Sequence, residues 1–157
     1  MAIRSIRKMG DPVLTKECRK IDRMTERLAT LIDDMLDTMY EANGVGLAAP
    51  QVGILKQLVV IYVSENADSP IILINPEIIE ASGSQTGDEG CLSLPGKAGT
   101  VTRPNYVKVK ALNESMEEIL WEGEGLLARA FCHEIDHLHG KMYVELVEGE
   151  LKNTQQE

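Results

Sequence analysis

The pentad His133-Glu134-Ile135-Asp136-His137 constrains the fold more than any other feature of this chain. It lies in a segment, from about Gly125 to Leu138 with Gly140 just beyond, whose periodicity and glycine stop predict a helix. At about 100° per residue, Leu126, Ala130, His133 and His137 fall within roughly 60° of one another, while Leu127, Phe131, Ile135 and Leu138 form an adjacent apolar stripe. Such a helix buries one side in a core and keeps the next side for chemistry. Histidines at i and i+4 stand a turn apart on one face, which suits a shared metal ion. Glu134 falls between the two faces, so its carboxylate can reach a water on the metal without being a ligand. His139 points away from that face and reads as a surface residue or as a cation near the helix C-terminus.

The core that receives this helix has to be aliphatic, because aromatic residues are only 4% of the 157. Leu28, Leu31, Ile32, Met35, Leu36 and Met39 recur at helical spacing between Thr25 and Glu41, and Asn43-Gly44 ends that second amphipathic helix. Gln57 to Val63 and Ile71 to Ile78 are β-branched runs separated by a turn with Asn66, Asp68, Ser69 and Pro70, and Pro76 suggests a sheet edge or a strand end. Tyr106 to Leu112 and Glu118 to Trp121 flank Asn113-Glu114-Ser115, and the alternation Val107, Lys108, Val109, Lys110 describes a hairpin with one wet face. The order helix, strands, helix predicts an α+β fold with mostly antiparallel sheets packed around the metal-binding helix. We expect one catalytic domain over residues 1–157, with a polar tail from about 148 to 157 that frays.

A catalytic site of this kind takes three protein ligands and leaves a position for water. Beyond His137 the only candidates are Glu145, Glu148, Glu150 and Glu157, and the His-x-x-Gly-x-x-His extension of the metzincins is absent. Upstream, Glu89-Gly90-Cys91-Leu92-Ser93 sets a cysteine beside glycine and ahead of the turn-like Leu94-Pro95-Gly96, where backbone can approach a ligand closely. Cys91 is therefore the expected third ligand, and Cys18 and Cys132 read as buried inert thiols. The run Gly44 to Gln51 meets the loose dinucleotide pattern G-x-G-x-x-G/A, but a helix precedes it and Pro50 interrupts it, so that reading fails. A tight loop of small residues ending in a carboxamide better serves a metal site, with Gln51 as donor to an oxyanion.

Taken together and in this order, Gly44 to Gln51 (GVGLAAPQ), Glu89 to Ser93 (EGCLS) and His133 to Gly140 (HEIDHLHG) resemble the three signature motifs of the peptide deformylases, which remove the N-terminal formyl group from new polypeptides. The likeness extends to IRKMGDPVL near the start and to SLPG and Arg103-Pro104 after Cys91. The resemblance implies one divalent ion on Cys91, His133 and His137, typically Fe²⁺ and replaceable by Ni²⁺, Co²⁺ or Zn²⁺, with Glu134 as proton shuttle. It also places the oxyanion between the metal, the Gln51 side chain and the Leu92 backbone N–H. An N-formylmethionyl peptide would lie along Val45-Gly46 and Gly90, its methionine in a pocket with Val45, Ala130, the wall of His133 and the aliphatic stem of Arg129. Glu89 and Arg103 would pair to support the Cys91 loop. Many bacterial relatives carry a longer C-terminal helix linked with ribosome docking, so a transient ribosome contact is implied, without a route to it.

Charge and hydropathy exclude other classes. A formal net charge of −9 argues against nonspecific nucleic acid binding. No run approaches the 18 or so apolar residues of a membrane span, and no secretory apolar region opens the chain, so a cytoplasmic protein is expected; a monomer is a separate expectation that does not rest on these features. A small zincin-like peptidase would share the pentad without needing Cys91 or Gln51. A metal-holding binding protein would not need Glu134.

Overall fold

The computed structural model describes residues 2–63 and 69–154. Its helices and strands, in chain order, are α1 (Glu26–Glu41), β1 (Gly46–Ala48), β2 (Leu58–Ile61), β3 (Ile71–Ser82), β4 (Gln85–Cys91), β5 (Leu94–Arg103), β6 (Tyr106–Leu112), β7 (Glu118–Glu124), α2 (Leu126–His137) and β8 (Glu148–Asn153). Short 3-10 turns lie at Pro12–Thr15, Ala49–Val52 and Tyr143–Leu146. The strands form two antiparallel sheets, of order β1-β2-β3-β6-β7 and β4-β5-β8. The class is therefore α+β, as expected. Of the turn expected before β3, positions 66 and 68 lie outside the described residues.

The larger sheet has a helix on each side. Leu58, Val59, Val60 and Ile61 are all buried, because alternate side chains of β2 enter two different cores. Val59 and Ile61 join Leu127, Phe131, Ile135 and Leu138 of α2, so the apolar stripe read from the sequence is the face of α2 that packs. Leu58 and Val60 join Leu28, Leu31, Ile32, Met35 and Met39 of α1. Each such side chain contributes about 1.5–3 kcal/mol by leaving water. Thr25 caps α1 by accepting a hydrogen bond from the Leu28 N–H, and Asn43, at φ 59°, ends it in the left-handed region. The hairpin β6–β7 keeps its wet face, with Val107 and Val109 buried and Lys110 exposed between β3 and β7.

Three expectations are corrected. Pro76 does not end a strand, since β3 runs on to Ser82; the edge reading holds, because pairing with β2 stops at Ile74 and β3 pairs only with β6 beyond it, and the proline sits where the register with β6 shifts between Ile74 and Glu77. Asn75 absorbs the bend at φ 53°, its side chain accepting from the Ile21 N–H at 2.8 Å and donating to the Ile21 carbonyl at 2.8 Å. The segment around Cys91 is not a loop but a hairpin of β4 and β5, with Cys91 opposite Leu94 and the turn at Leu92-Ser93 rather than at Leu94-Pro95-Gly96. Residues 148–153 of the expected fraying tail form β8, exposed along its length, on the outer side of β5; positions 155–157 lie outside the described residues.

Candidate metal centre

Two independent pieces of structure meet at one point. Helix α2 presents His133 and His137, with ring centroids 5.0 Å apart. The tight turn after β4 brings Cys91 across from the smaller sheet, and its Sγ lies 3.3 Å from His137 Nε2. One donor atom from each of Cys91, His133 and His137 lies within 4.8 Å of the others, a group able to hold a metal ion. One thiolate and two imidazoles form a donor set that suits a transition metal. His133 Nδ1 faces Glu89 Oε2 at 2.5 Å, which leaves Nε2 for the shared point.

Glu89 is the hub of a buried ionic network. Arg103 donates to both of its oxygens, through Nε at 3.1 Å and Nη2 at 2.6 Å, and Arg129 Nη1 adds a third bond at 2.7 Å. Arg103 also reaches Asp136 at 2.9 Å, linking the network back to α2. Burial works against the Glu89 charge, yet the bonds from His133 and Arg103 outweigh it and hold the carboxyl down to about 2. His133 likewise loses solvation, but Glu134, Cys91 and Glu89 keep its pKa well above the ordinary value. Burial, the largest cause, pushes His137 down to about 3.

Glu134 is 4% exposed, and its Oε1 has no partner among the described residues. Burial pushes its carboxyl up to about 7, against the pull of His133. It lies against β1: a Cβ at Gly46 would stand 2.6 Å from Glu134 Oε2. Gln51, in the 3-10 turn after β1, is 1% exposed and points at the same place, its Nε2 lying 3.5 Å from Cys91 Sγ. Leu92 follows Cys91, its side chain so close to Gly44 that a Cβ there would meet Leu92 Cδ1 at 2.7 Å. A groove runs past these groups, lined by Val45, Gly46, Gly90 and Leu92 among others. Beside it opens a smaller cavity of about 120 Å³, lined by Val45, Gly90, Leu126, Arg129, Ala130 and His133 among others.

The structure thus brings together Cys91, His133, His137, Glu134, Gln51, Leu92, Val45, Gly46 and Gly90, and places Ala130 and Arg129 on the adjoining cavity. Arg129 differs from a solvated helix residue, because its guanidinium is buried on Glu89 and on the Val101 carbonyl. Cys18 and Cys132 are buried thiols pushed up to about 11 by burial, outside the cluster. His139 is at the surface, paired with Glu17. Two neighbours of the site were not singled out from the sequence. Ser93 is fully buried and accepts from Gln51 Nε2 at 3.0 Å; Tyr143, 1% exposed, packs its ring 5.8 Å from that of His133. Only the place of Ser93 two residues after Cys91 could have flagged it; nothing flags Tyr143.

Comparison with known proteins shows the family of the chain. The family model described as polypeptide deformylase matches residues 3–153. A peptide deformylase of Lachnoclostridium phytofermentans is 69% identical over 151 residues, covering 96% of this chain and 93% of the relative. One of Agathobacter rectalis is 66% identical over 154 residues, covering 98% and 96%. Among solved structures, a peptide deformylase from Legionella pneumophila superposes with a TM-score of 0.89 at 44% identity, covering 93% of this chain and 86% of that one. One from Thermotoga maritima gives 0.89 at 40% identity, covering 94% and 99%.

Proposed function

Since this chain belongs to the polypeptide deformylase family and removes the N-terminal formyl group from nascent polypeptides, we propose that Cys91, His133 and His137 hold its metal, Fe²⁺ in the cell, and that Glu134, Gln51 and Leu92 carry the chemistry. The observation that carries this reading is the convergence of one thiol and two imidazoles, within 4.8 Å, beneath a buried glutamate. When bound, the ion supplies Lewis acidity that makes water nucleophilic near neutral pH and polarises the formyl carbonyl; zinc, nickel or cobalt can substitute.

The chain's own groups do the rest. Glu134 takes the proton of the attacking water and later gives it to the departing amine, and burial, which lifts its carboxyl above the ordinary carboxylate range, suits it to both steps. The products are formate and a free amino terminus. Gln51 Nε2 and the Leu92 N–H donate to the oxygen that gains charge as the carbonyl is attacked. Glu89 accepts from His133 Nδ1 and thereby fixes the tautomer that offers Nε2. The peptide adds as an extended strand between Val45-Gly46 and Gly90, a mode that reads backbone and tolerates many sequences. Its methionine side chain enters the cavity beside Ala130, whose lining includes the buried Arg129. The whole chain acts as one catalytic domain built on α2. No described helix is long and apolar enough to cross a membrane; we place the enzyme in the cytoplasm, as a monomer that meets nascent chains transiently at the ribosome.

Steady-state kinetics on a formyl-methionyl and an acetyl-methionyl peptide test this reading. The acetyl methyl group crowds the position of attack, so kcat/KM is far lower for the acetylated peptide. Comparable values for both peptides would show that the site is misassigned.

A further inference from the structure

The carboxamide of Gln51 is useful to an oxyanion only if its nitrogen, not its oxygen, faces the site, and the side chain alone does not decide this. The Ala48 N–H lies 2.9 Å from one amide atom of Gln51. A backbone N–H can only donate, so that atom is Oε1, and Nε2 points the other way. There it meets two acceptors: Ser93 Oγ at 3.0 Å and, more loosely, Cys91 Sγ at 3.5 Å. One amide hydrogen is thus held by Ser93 while the other is directed at the cysteine side of the groove.

The frame extends behind both residues. The Arg7 N–H donates to the Gln51 carbonyl at 2.7 Å and the Met9 N–H donates to the Ser93 carbonyl at 2.8 Å, so one N-terminal segment clips together the two turns that carry this pair. Ser93 is fully buried, and no solvent competes for its hydroxyl. We propose that Ser93 is a positioning residue for deformylation: it acts through Gln51, holding one amide hydrogen so that the other stays aimed at the developing oxyanion. This rests on the reading of Gln51 as an oxyanion donor given above.

A double-mutant cycle on the metal-loaded full chain tests it. Ser93→Ala removes a single oxygen. It lowers kcat about tenfold and leaves KM within about twofold, because the lost hydrogen bond orders a donor used chiefly in the transition state. In a Gln51→Leu background the same substitution changes kcat less than about twofold, since its object is gone. Ser93→Thr, which keeps the hydroxyl, restores most of the activity. A readout independent of turnover is the Gln51 side-chain amide in the NMR spectrum of the zinc-loaded protein, where one of its two protons loses its hydrogen-bonded shift in Ser93→Ala while bound zinc is unchanged. An equal loss of kcat with and without Gln51 would make Ser93 merely structural and overturn the proposal, as would wild-type kinetics with an unaltered amide resonance. If Gln51→Leu alone leaves kcat intact, the oxyanion reading itself fails, and that is seen before Ser93 is touched.

Discussion

Gly46→Ala is the smallest change that should separate proton transfer from metal binding. The backbone at Gly46 is regular strand, paired opposite Ile61, and alanine would adopt it without strain. The difficulty is contact. The new methyl carbon would lie 2.6 Å from Glu134 Oε2 and 2.9 Å from both Cδ and Cγ, so the whole end of the side chain is obstructed, not just its tip. A tolerable carbon–oxygen approach is about 3.4 Å, which asks the carboxylate to retreat by roughly 0.8 Å. Glu134 is only 4% exposed, so the retreat has to be absorbed within a packed interior. Overpacking of this kind costs about 1–3 kcal/mol, or roughly 2–12 °C in Tm for a domain of this size. A catalytic group displaced by about 1 Å can lose 10²-fold in rate, so kcat for formate release falls roughly 10- to 100-fold. The ligands Cys91, His133 and His137 are untouched, and metal content measured by plasma emission stays at the wild-type level. Near-normal kcat at full metal loading would refute the role given to Glu134 at this position. Loss of the metal in parallel with activity would show that the two functions are not separable there.

Three other experiments probe the remaining parts. Glu134→Ala keeps its metal and loses nearly all deformylation, because a proton shuttle and not a ligand has been removed; substantial turnover by the metal-loaded variant would contradict this. Cys91→Ser weakens metal retention during dialysis against a chelator and Cys18→Ser does not, so equal metal in both would misplace the third ligand. Glu89→Gln leaves Arg103 and Arg129 buried without their shared counter-charge, which costs about 3–5 kcal/mol in urea unfolding; a loss under about 1 kcal/mol would show that the network relaxes freely.

Legibility from sequence followed the strength of local periodicity. Both helices and the doubly buried strand β2 were legible because each carries a repeated apolar pattern that one core or two cores must satisfy. The hairpin β4–β5 was not. It is rich in glycine and polar residues, Gly87, Asp88, Gly90, Gly96 and Gly99 among them, and belongs to a sheet whose outer strand β8 is wholly exposed, so burial imposes little pattern on it. β8 escaped notice for the same reason. Within the site, the grouping of Cys91 with His133 and His137 was legible from residue chemistry and spacing, since few residue types ligate metals. Ser93 was not, because its place under Gln51 depends on how two distant turns are clipped together by the N-terminal segment. The ion pair of Arg129 is not legible for a related reason: an arginine on a helix is ordinarily solvated, and only the position of Glu89 on the opposite sheet draws its guanidinium inward.

X-ray absorption at the metal edge, on active protein purified without oxygen, tests the central claim most directly. The expected spectrum has an iron edge at one ion per chain and a first shell of one sulfur and two imidazole nitrogens, with the sulfur contribution lost in Cys91→Ser. A fully active preparation whose metal has no sulfur neighbour, or that holds no stoichiometric metal at all, would contradict it.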